Sequence, residues 1–374
     1  MNDARPDTVI RKLLKKPPAI VAISIIIITC LIAVFAYQLS PDNTPDANRM
    51  VVELAAKPPG FTMHFLNIPK KNAGSIHNNA SEWFSGKQSD HDLLPYNGYT
   101  ITNDNLIVRH YIDDSMEDTI RISYNMLLPL NLRNAALSTM RNYIQRTLLE
   151  TRTFYLGTDR YGRDILSRLL AGTRVSLSVG LIAVLLSISI GIILGSVAGY
   201  YGGIIDNAIM WLINILWAIP TLLLVFAITL TIGKGFWEIF IAIGLTMWVG
   251  AARLIRGQVM VLRKMEYITA AKALGLPDYR IIFKHILPNI AGPIMVIAAS
   301  NFATAILIEA GLSFLGIGVQ PPQPSWGLMI KEHYNFLITN RPLLAIIPGL
   351  AIMLLVYAFN ILGNALRDVL DVKS

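Results

Sequence analysis

The stretch "TIGKG" around Lys234 comes nearest to a phosphate-binding loop in this 374-residue chain. Such a loop cradles phosphates with backbone N–H groups and needs a Ser or Thr after its lysine to hold magnesium. Here the earlier glycine and that hydroxyl are both missing. His64, His77, His91 and His110 are scattered without ligand spacing, and no His-Glu-x-x-His occurs. Cys30 is the only cysteine, so neither an intrachain disulfide nor a cysteine metal cluster is available. The residues therefore predict no catalytic site and no metal site, and neither ATP hydrolysis nor peptide-bond cleavage by this chain.

The other polar candidates lie in apolar surroundings. Glu309 falls near the end of an apolar run, and intramembrane acids mark pathways. An interfacial position would equally suit a solvated or hydrogen-bonded carboxylate. Asn214, Asn301 and Asn360 could line a passage or bond one helix to another. Gly191, Gly195 and Gly199 fall four apart and share one helix face, which lets another helix approach closely. That helix could belong to this chain or to another subunit.

The elements that would hold these residues are membrane helices. Charged residues are 15% of the chain, against about 25% in soluble domains. The apolar residues gather in runs near the length of about 20 that spans a bilayer. They cover residues 19–37, 175–200, 208–232, 236–249, 290–312 and 343–362. The fourth run lengthens through "AARLI" if Arg253 sits at the interface. Arg11, Lys12, Lys15 and Lys16 precede the first run, which is longer than the apolar part of a signal peptide and lacks a small-residue cleavage site. The expected fold is an all-α polytopic membrane protein of six transmembrane helices, with both termini in the cytoplasm. Its net charge of +8 fits Lys and Arg held in cytoplasmic loops. No zinc-finger or basic-zipper pattern points to nucleic acid.

The expected boundaries follow. Residues 1–18 form a cytoplasmic N-terminus, 19–37 the first helix and 38–150 an external insert. Residues 151–174 are an amphipathic connector. Residues 175–362 hold helices two to six, with a cytoplasmic loop at 251–288, and 363–374 form a cytoplasmic C-terminus. That loop carries Arg253, Arg256, Arg263, Lys264, Lys272, Arg280 and Lys284 against Glu266 and Asp278, as the topology requires. Arg160, Arg163, Arg168 and Arg174 disagree, because they precede the second helix on the supposed outer side. Long translocated segments largely escape the charge rule.

The insert is polar. "YTITNDNLIVRHYI" and "DTIRISYNMLL" alternate as strands do, with Asn-Asp-Asn as a turn, and place Leu106, Val108 and His110 on one face. "AALSTMRNYIQRTLLE" reads as a helix and "NIPKKNAGSIHNNASEW" as a loop. The prediction is a small external α+β domain on the outer face; a disordered spacer is the other reading.

The loop at 251–288 predicts two short helices. "MEYITAAKAL" forms the first, Gly275 ends it in a left-handed cap, and Pro277 stops it. Asp278 is expected to cap the second, "YRIIFKHI", and Pro288 to break the chain before the fifth span. Small side chains at Ala270, Ala271 and Ala273 suit a shallow groove, while a helix resting on anionic lipid is the alternative. In "GIGVQPPQPSWGLM", Pro321, Pro322 and Pro324 preclude regular helix, and Trp326 suits the outer interface.

"TAAKALGLPDYRIIFKHILP" resembles the cytoplasmic Glu-Ala-Ala loop of ABC importer permeases, with Ala270, Ala271, Gly275, Leu287 and Pro288 in register. Thr269 stands where that motif has Glu, and His285 where it has Ile. "LGTDRYGRDILSRLLAGTRVSLSVG", "GLSFLGIGVQPPQPSWGLM" and "NILGNALRDVLD" resemble the C-type inner-membrane permease of dipeptide, oligopeptide and nickel importers. The likeness covers residues 156–371 and the first span and leaves the insert outside.

The resemblance implies a transport subunit of the bacterial inner membrane. Its partners would be a B-type permease, two ATPase subunits that bind the ATP and magnesium, and an external substrate-binding protein. No cofactor is expected in this chain. Thr269, Ala270, Ala271, Gly275, Leu287 and Pro288 would form the ATPase-coupling element, and the loop holding Pro321, Pro322, Pro324 and Trp326 an external gate or a rigid connector. Peptide-like substrates are expected, with a nickel complex or another small solute as the alternative. A secondary transporter would want buried acids at mid-membrane; a membrane scaffold would depend on the insert instead.

Overall fold

Inside a bilayer no water is available to backbone N–H and C=O groups, so an apolar run closes its own hydrogen bonds as helix. The computed structural model describes residues 9–70, 79–102, 105–133, 135–233, 235–338 and 341–370. Lys234, His77 and the Asn103-Asp104 turn lie outside the described residues. The chain divides into two compact units. One comprises Met1–Val34, Gly172–Asn335 and Ala345–Ser374; the other comprises Phe35–Ala171 and Phe336–Leu344.

Besides a short helix at Val9–Leu13, the α-helices of the first unit are α1 (Pro17–Val34), α2 (Ile165–Tyr201, which begins in the other unit), α3 (Gly203–Ala218), α4 (Thr221–Ile232), α5 (Phe236–Leu262), α6 (Glu266–Ala273), α7 (Asp278–Ile281), α8 (Ala291–Leu315), α9 (Trp326–His333) and α10 (Leu343–Leu370). Among the described residues, five helical stretches are long and apolar enough to cross a membrane: α1, α2, α5, Asp278–Leu315 and α10. The sixth candidate is a broken one. Where the sequence predicts a single helix over 208–232, α3 and α4 meet at 94°. Pro220 has no N–H to donate and disfavours helical geometry in the residue before it. Ile219 is accordingly extended, at φ −92° and ψ 129°.

The glycine face of α2 packs within the chain. A Cβ on Gly195 would lie 2.5 Å from the Ala252 carbonyl oxygen, and one on Gly199 2.7 Å from that of Arg256. Both partners are on α5, so the spacing serves a close approach of α2 to α5. Val179, Val225, Ile243 and Ala305 join α2, α4, α5 and α8 in one buried cluster.

The second unit is built on an antiparallel sheet of β1 (Phe61–Pro69), β2 (His91–Ile101), β3 (Asn105–Tyr111), β4 (Glu117–Ser123) and β5 (Leu149–Phe154). The strand order is β4-β3-β2-β1-β5. Both faces are covered. Leu66, Leu106, Val108 and Ile122 pack with Met140, Ile144 and Leu148 from the helical segment 137–148. Phe65, Tyr111 and Phe154 pack with Val51 and Leu54 on the other side. Leu106 and Val108 share a buried face as expected, with His110 half-buried beside them.

Several boundaries move. The expected loop at 67–83 has structured ends, since Asn67–Pro69 lie in β1 and Asn79–Ser85 are helical. The unit extends to Ala171 rather than to 150. The supposed connector supplies most of β5 and then a buried polar knot. The Asp159 carboxylate accepts from the backbone N–H groups of Tyr161 and Arg163, at 2.8 and 2.9 Å, and from the Arg163 guanidinium. Arg163 also donates to Asn48, and Arg168 lies 3.9 Å from Asp159. The Ser167 N–H donates to Asp164 at 2.8 Å. Arg163 and Arg168 are thus structural groups, 1% and 0% exposed, rather than free loop charges. This accounts for half of the arginines that conflicted with the charge rule.

Candidate coupling site

The loop after α5 folds as a rigid elbow. α6 starts after Met265, which is extended, and ends where Gly275 takes a left-handed φ of 74°. The Gly275 N–H donates to the Lys272 carbonyl at 2.9 Å and the Leu276 N–H to the Ala271 carbonyl at 3.2 Å. These two bonds make a Schellman cap, which satisfies carbonyls that the helix end leaves open. Pro277 then precedes α7. Asp278 is not the expected cap. It is the first residue of α7, and its carboxylate accepts from the Tyr200 hydroxyl of α2 at 2.6 Å. The chain does not break at Pro288. Residues Ile282–Ile286 form a π turn and Leu287–Ile290 a 3₁₀ turn, which run on into α8. Pro288 is tolerated there because it falls in the first turn, where a missing N–H costs least.

One side of the elbow is anchored. Ile268, Ala271, Ile281, Ile282 and Ile286 are buried with Tyr200, Ile255 and Val259. The Lys272 ammonium lies 4.5 Å from the centre of the Tyr200 ring. The other side carries apolar groups in the open. Leu274 is 81% exposed, Tyr279 66% and Phe283 63%. Of the residues singled out in the sequence, Thr269, Ala270, Gly275 and Pro288 are exposed, Leu287 is half-buried and Ala271 faces the core. Sequence reasoning missed Tyr200, Leu274, Tyr279 and Phe283. The only signal for the last three was apolar side chains in a basic loop.

The comparisons decide what this elbow belongs to. Residues 191–373 match the family described as binding-protein-dependent transport system inner membrane component. The chain is 43% identical over 219 residues to the glutathione transport system permease protein GsiD of Pectobacterium atrosepticum, covering 59% of this chain and 72% of that one. The chain belongs to this permease family. It is a multi-pass inner-membrane transport component, not itself catalytic. It is also 42% identical over 219 residues to both the dipeptide permease DppC and the oligopeptide permease OppC of Bacillus subtilis, covering 59% of this chain and 68% and 72% of theirs. An inward-facing structure of the MetNI methionine ABC transporter aligns at 21% identity and a TM-score of 0.41, over 54% of this chain and 95% of that one. At that score the alignment carries no structural argument.

The permease's other candidate residues each make a local hydrogen bond. Asn301 donates to the Ser187 hydroxyl at 3.3 Å and joins α8 to α2. Asn360 donates to the Val356 carbonyl of its own helix at 3.0 Å. Asn214 accepts from Arg253 at 2.7 Å. Glu309 takes the hydrogen-bonded arrangement and is not solvated. It is 0% exposed and accepts from the Ser313 hydroxyl at 2.6 Å. The Ser313 oxygen in turn accepts from the Val319 N–H at 3.1 Å, and Ser325 caps α9 through the Leu328 N–H at 3.1 Å. The proline loop is therefore pinned at both ends. Pro321 and Pro322 are exposed, while Pro324 and Trp326 are buried. The Trp326 ring packs 3.1 Å from where a Cβ on Gly172 would lie, so it anchors the loop from inside the fold.

Proposed function

We propose that this permease is the C-type subunit of an ATP-driven importer of short peptides. It works with a B-type permease, two ATPase subunits and an external binding protein, and its elbow docks on an ATPase. The observation that carries this reading is the elbow's division of surfaces. Its buried side is locked to α2 and α5, while Leu274, Tyr279 and Phe283 stand exposed beside Ala270 and Gly275. Apolar groups on a rigid mount suit a cleft in another protein, because a rigid element transmits displacement that a loose loop would absorb. Both termini and the elbow face the cytoplasm in this reading. The named relatives support peptide-like cargo; a nickel complex or another small solute is the narrower alternative.

Affinity purification of the chain from native membranes tests the assembly. An ATP-hydrolysing subunit should co-purify, and Tyr279→Asp should remove it while the permease still inserts. If Tyr279→Asp and Phe283→Asp both retain the ATPase, the docking assignment is wrong. Release of the elbow by high salt from anionic vesicles alone would instead mark it as a lipid contact.

A further inference from the structure

Two arginines of α5 face α3, and their surroundings differ. The Arg256 guanidinium grips the Asp206 carboxylate through two bonds, the longer of them 2.5 Å. Arg253 lies nearly one turn deeper in the apolar helix. Its guanidinium stacks 3.5 Å from the centre of the Trp217 ring, and its Nη2 donates to Asn214 at 2.7 Å. Among the described residues no carboxylate lies within ion-pair reach of it, and its Nε is shut off from solvent without an acceptor. α5 has 27 residues, so Arg253 sits ~14 Å from its nearer end at 1.5 Å per residue. Arg253 thus lacks the carboxylate partner that Arg256 has.

A second observation concerns the same place. Trp217 and Asn214 lie in the last two turns of α3, just before the break at Ile219 and Pro220. Both residues of the break are exposed in this chain. Irregular backbone at membrane depth survives only where protein covers it or water reaches it. An exposed break of this kind suits water or a protein partner better than lipid tails. A planar guanidinium braced by an indole on one face and an amide at one corner keeps its remaining N–H groups aimed in fixed directions, the geometry that captures a carboxylate.

We propose that Arg253, braced by Trp217 and Asn214, is a carboxylate-binding station on the α3–α5 face, which receives the free C-terminal carboxylate of a peptide in transit. The assignment rests on the peptide reading above. An anionic lipid headgroup offers related chemistry, and an acid on a second subunit could fill the same place.

The test uses the intact importer reconstituted in phosphatidylcholine nanodiscs. The probe is alanyl-benzoylphenylalanine, as the free acid and as the C-terminal amide. After irradiation, mass spectrometry reads adducts on residues 211–221. The free acid should label this segment at least tenfold more than the amide. Arg253→Gln should abolish that preference and Arg253→Lys should keep part of it. Equal labelling by acid and amide, or no labelling of the segment, overturns the station, as a second-subunit acid at Arg253 would. Loss of the preference when phosphatidylglycerol is added assigns the place to lipid and also overturns it. Uptake of radiolabelled dialanine by whole cells is read in parallel. If uptake persists while the segment stays unlabelled, the station fails and the peptide reading stands; if uptake is absent from wild-type cells, the peptide reading itself fails.

Discussion

The Tyr200 hydroxyl meets the Asp278 carboxylate at 2.6 Å, across 78 positions of chain, and ties the end of α2 to the start of α7. A hydrogen bond to a charged acceptor is worth about 1.5–3 kcal/mol. Tyr200→Phe and Asp278→Ala should each lower the melting temperature of the solubilised permease. Asp278→Asn should do less, because its amide oxygen still accepts. Transport per ATP hydrolysed should fall in the same order. Full coupling in Tyr200→Phe would show that the elbow needs no such tether.

Gly275 can be separated from its surroundings. No atom lies within 4 Å of a Cβ placed there, so a substitution meets only the backbone requirement of φ 74°. A β-branched residue resists that conformation, at about 1–2 kcal/mol, whereas Asn visits it readily. Gly275→Val should uncouple transport from ATP hydrolysis, and Gly275→Asn should stay close to wild type. Equal effects would point to contact at that position, not to backbone shape.

The sheet-bearing unit carries a pH signature. The Lys57 ammonium donates to Tyr111 at 2.5 Å and to Asp114 at 2.7 Å, and the Tyr111 hydroxyl donates to Asp114 at 2.5 Å. The bond from Lys57, then that from Tyr111, holds the Asp114 carboxyl below its ordinary value of 3.8. Burial alone would lower Lys57, but its bonds to Asp114 and Tyr111 outweigh this and raise it above 10.5. Asp114 therefore contributes stability above its ordinary value, which is lost as pH falls through the lowered one. Lys57 contributes below 10.5 and loses it as pH rises through its raised value. Thermal melts of wild type and Asp114→Asn should differ by a constant small amount near neutrality, and the difference should shrink as pH falls below 3.8. A gap that does not shrink at all as the pH is lowered below 3.8 would assign the difference to something other than this carboxylate.

Sidedness has a direct measurement. With Cys30 replaced by Ser, cysteines at Ser115 and Lys264 should label from opposite sides of intact cells. Ser115 is exposed in the turn after β3 and Lys264 in the elbow. External labelling at Lys264→Cys would invert the proposed topology.

The sequence made legible what local chemistry controls. Apolar run length marked the membrane helices, Gly275 and Pro277 marked the cap, and alternation marked β3 with its buried Leu106 and Val108. What it hid depends on partners distant in sequence. Asp278 looked like a helix cap because its acceptor role toward Tyr200 cannot be seen from its neighbours. Glu309 looked interfacial because Ser313 and the returning loop that bury it leave no periodic trace. Arg163 and Arg168 looked like loop charges until Asp159 and Asn48 closed around them. The prolines show the limit of local rules. Pro220 breaks a run, Pro288 is absorbed in a 3₁₀ turn, and Pro348 sits inside α10 without ending it.

From Asp278 to Leu315 the chain is one continuous helical stretch of 38 residues. Its first residue is held by Tyr200, and Glu309 and Ser313 near its far end grip the proline loop. The consequence concerns timing. A displacement at the elbow reaches the proline loop along this helix only through the π and 3₁₀ turns at 282–290. Within this unit those turns and the 94° break at Ile219–Pro220 are the places where the chain leaves regular α geometry, so any delay between the two ends would arise there.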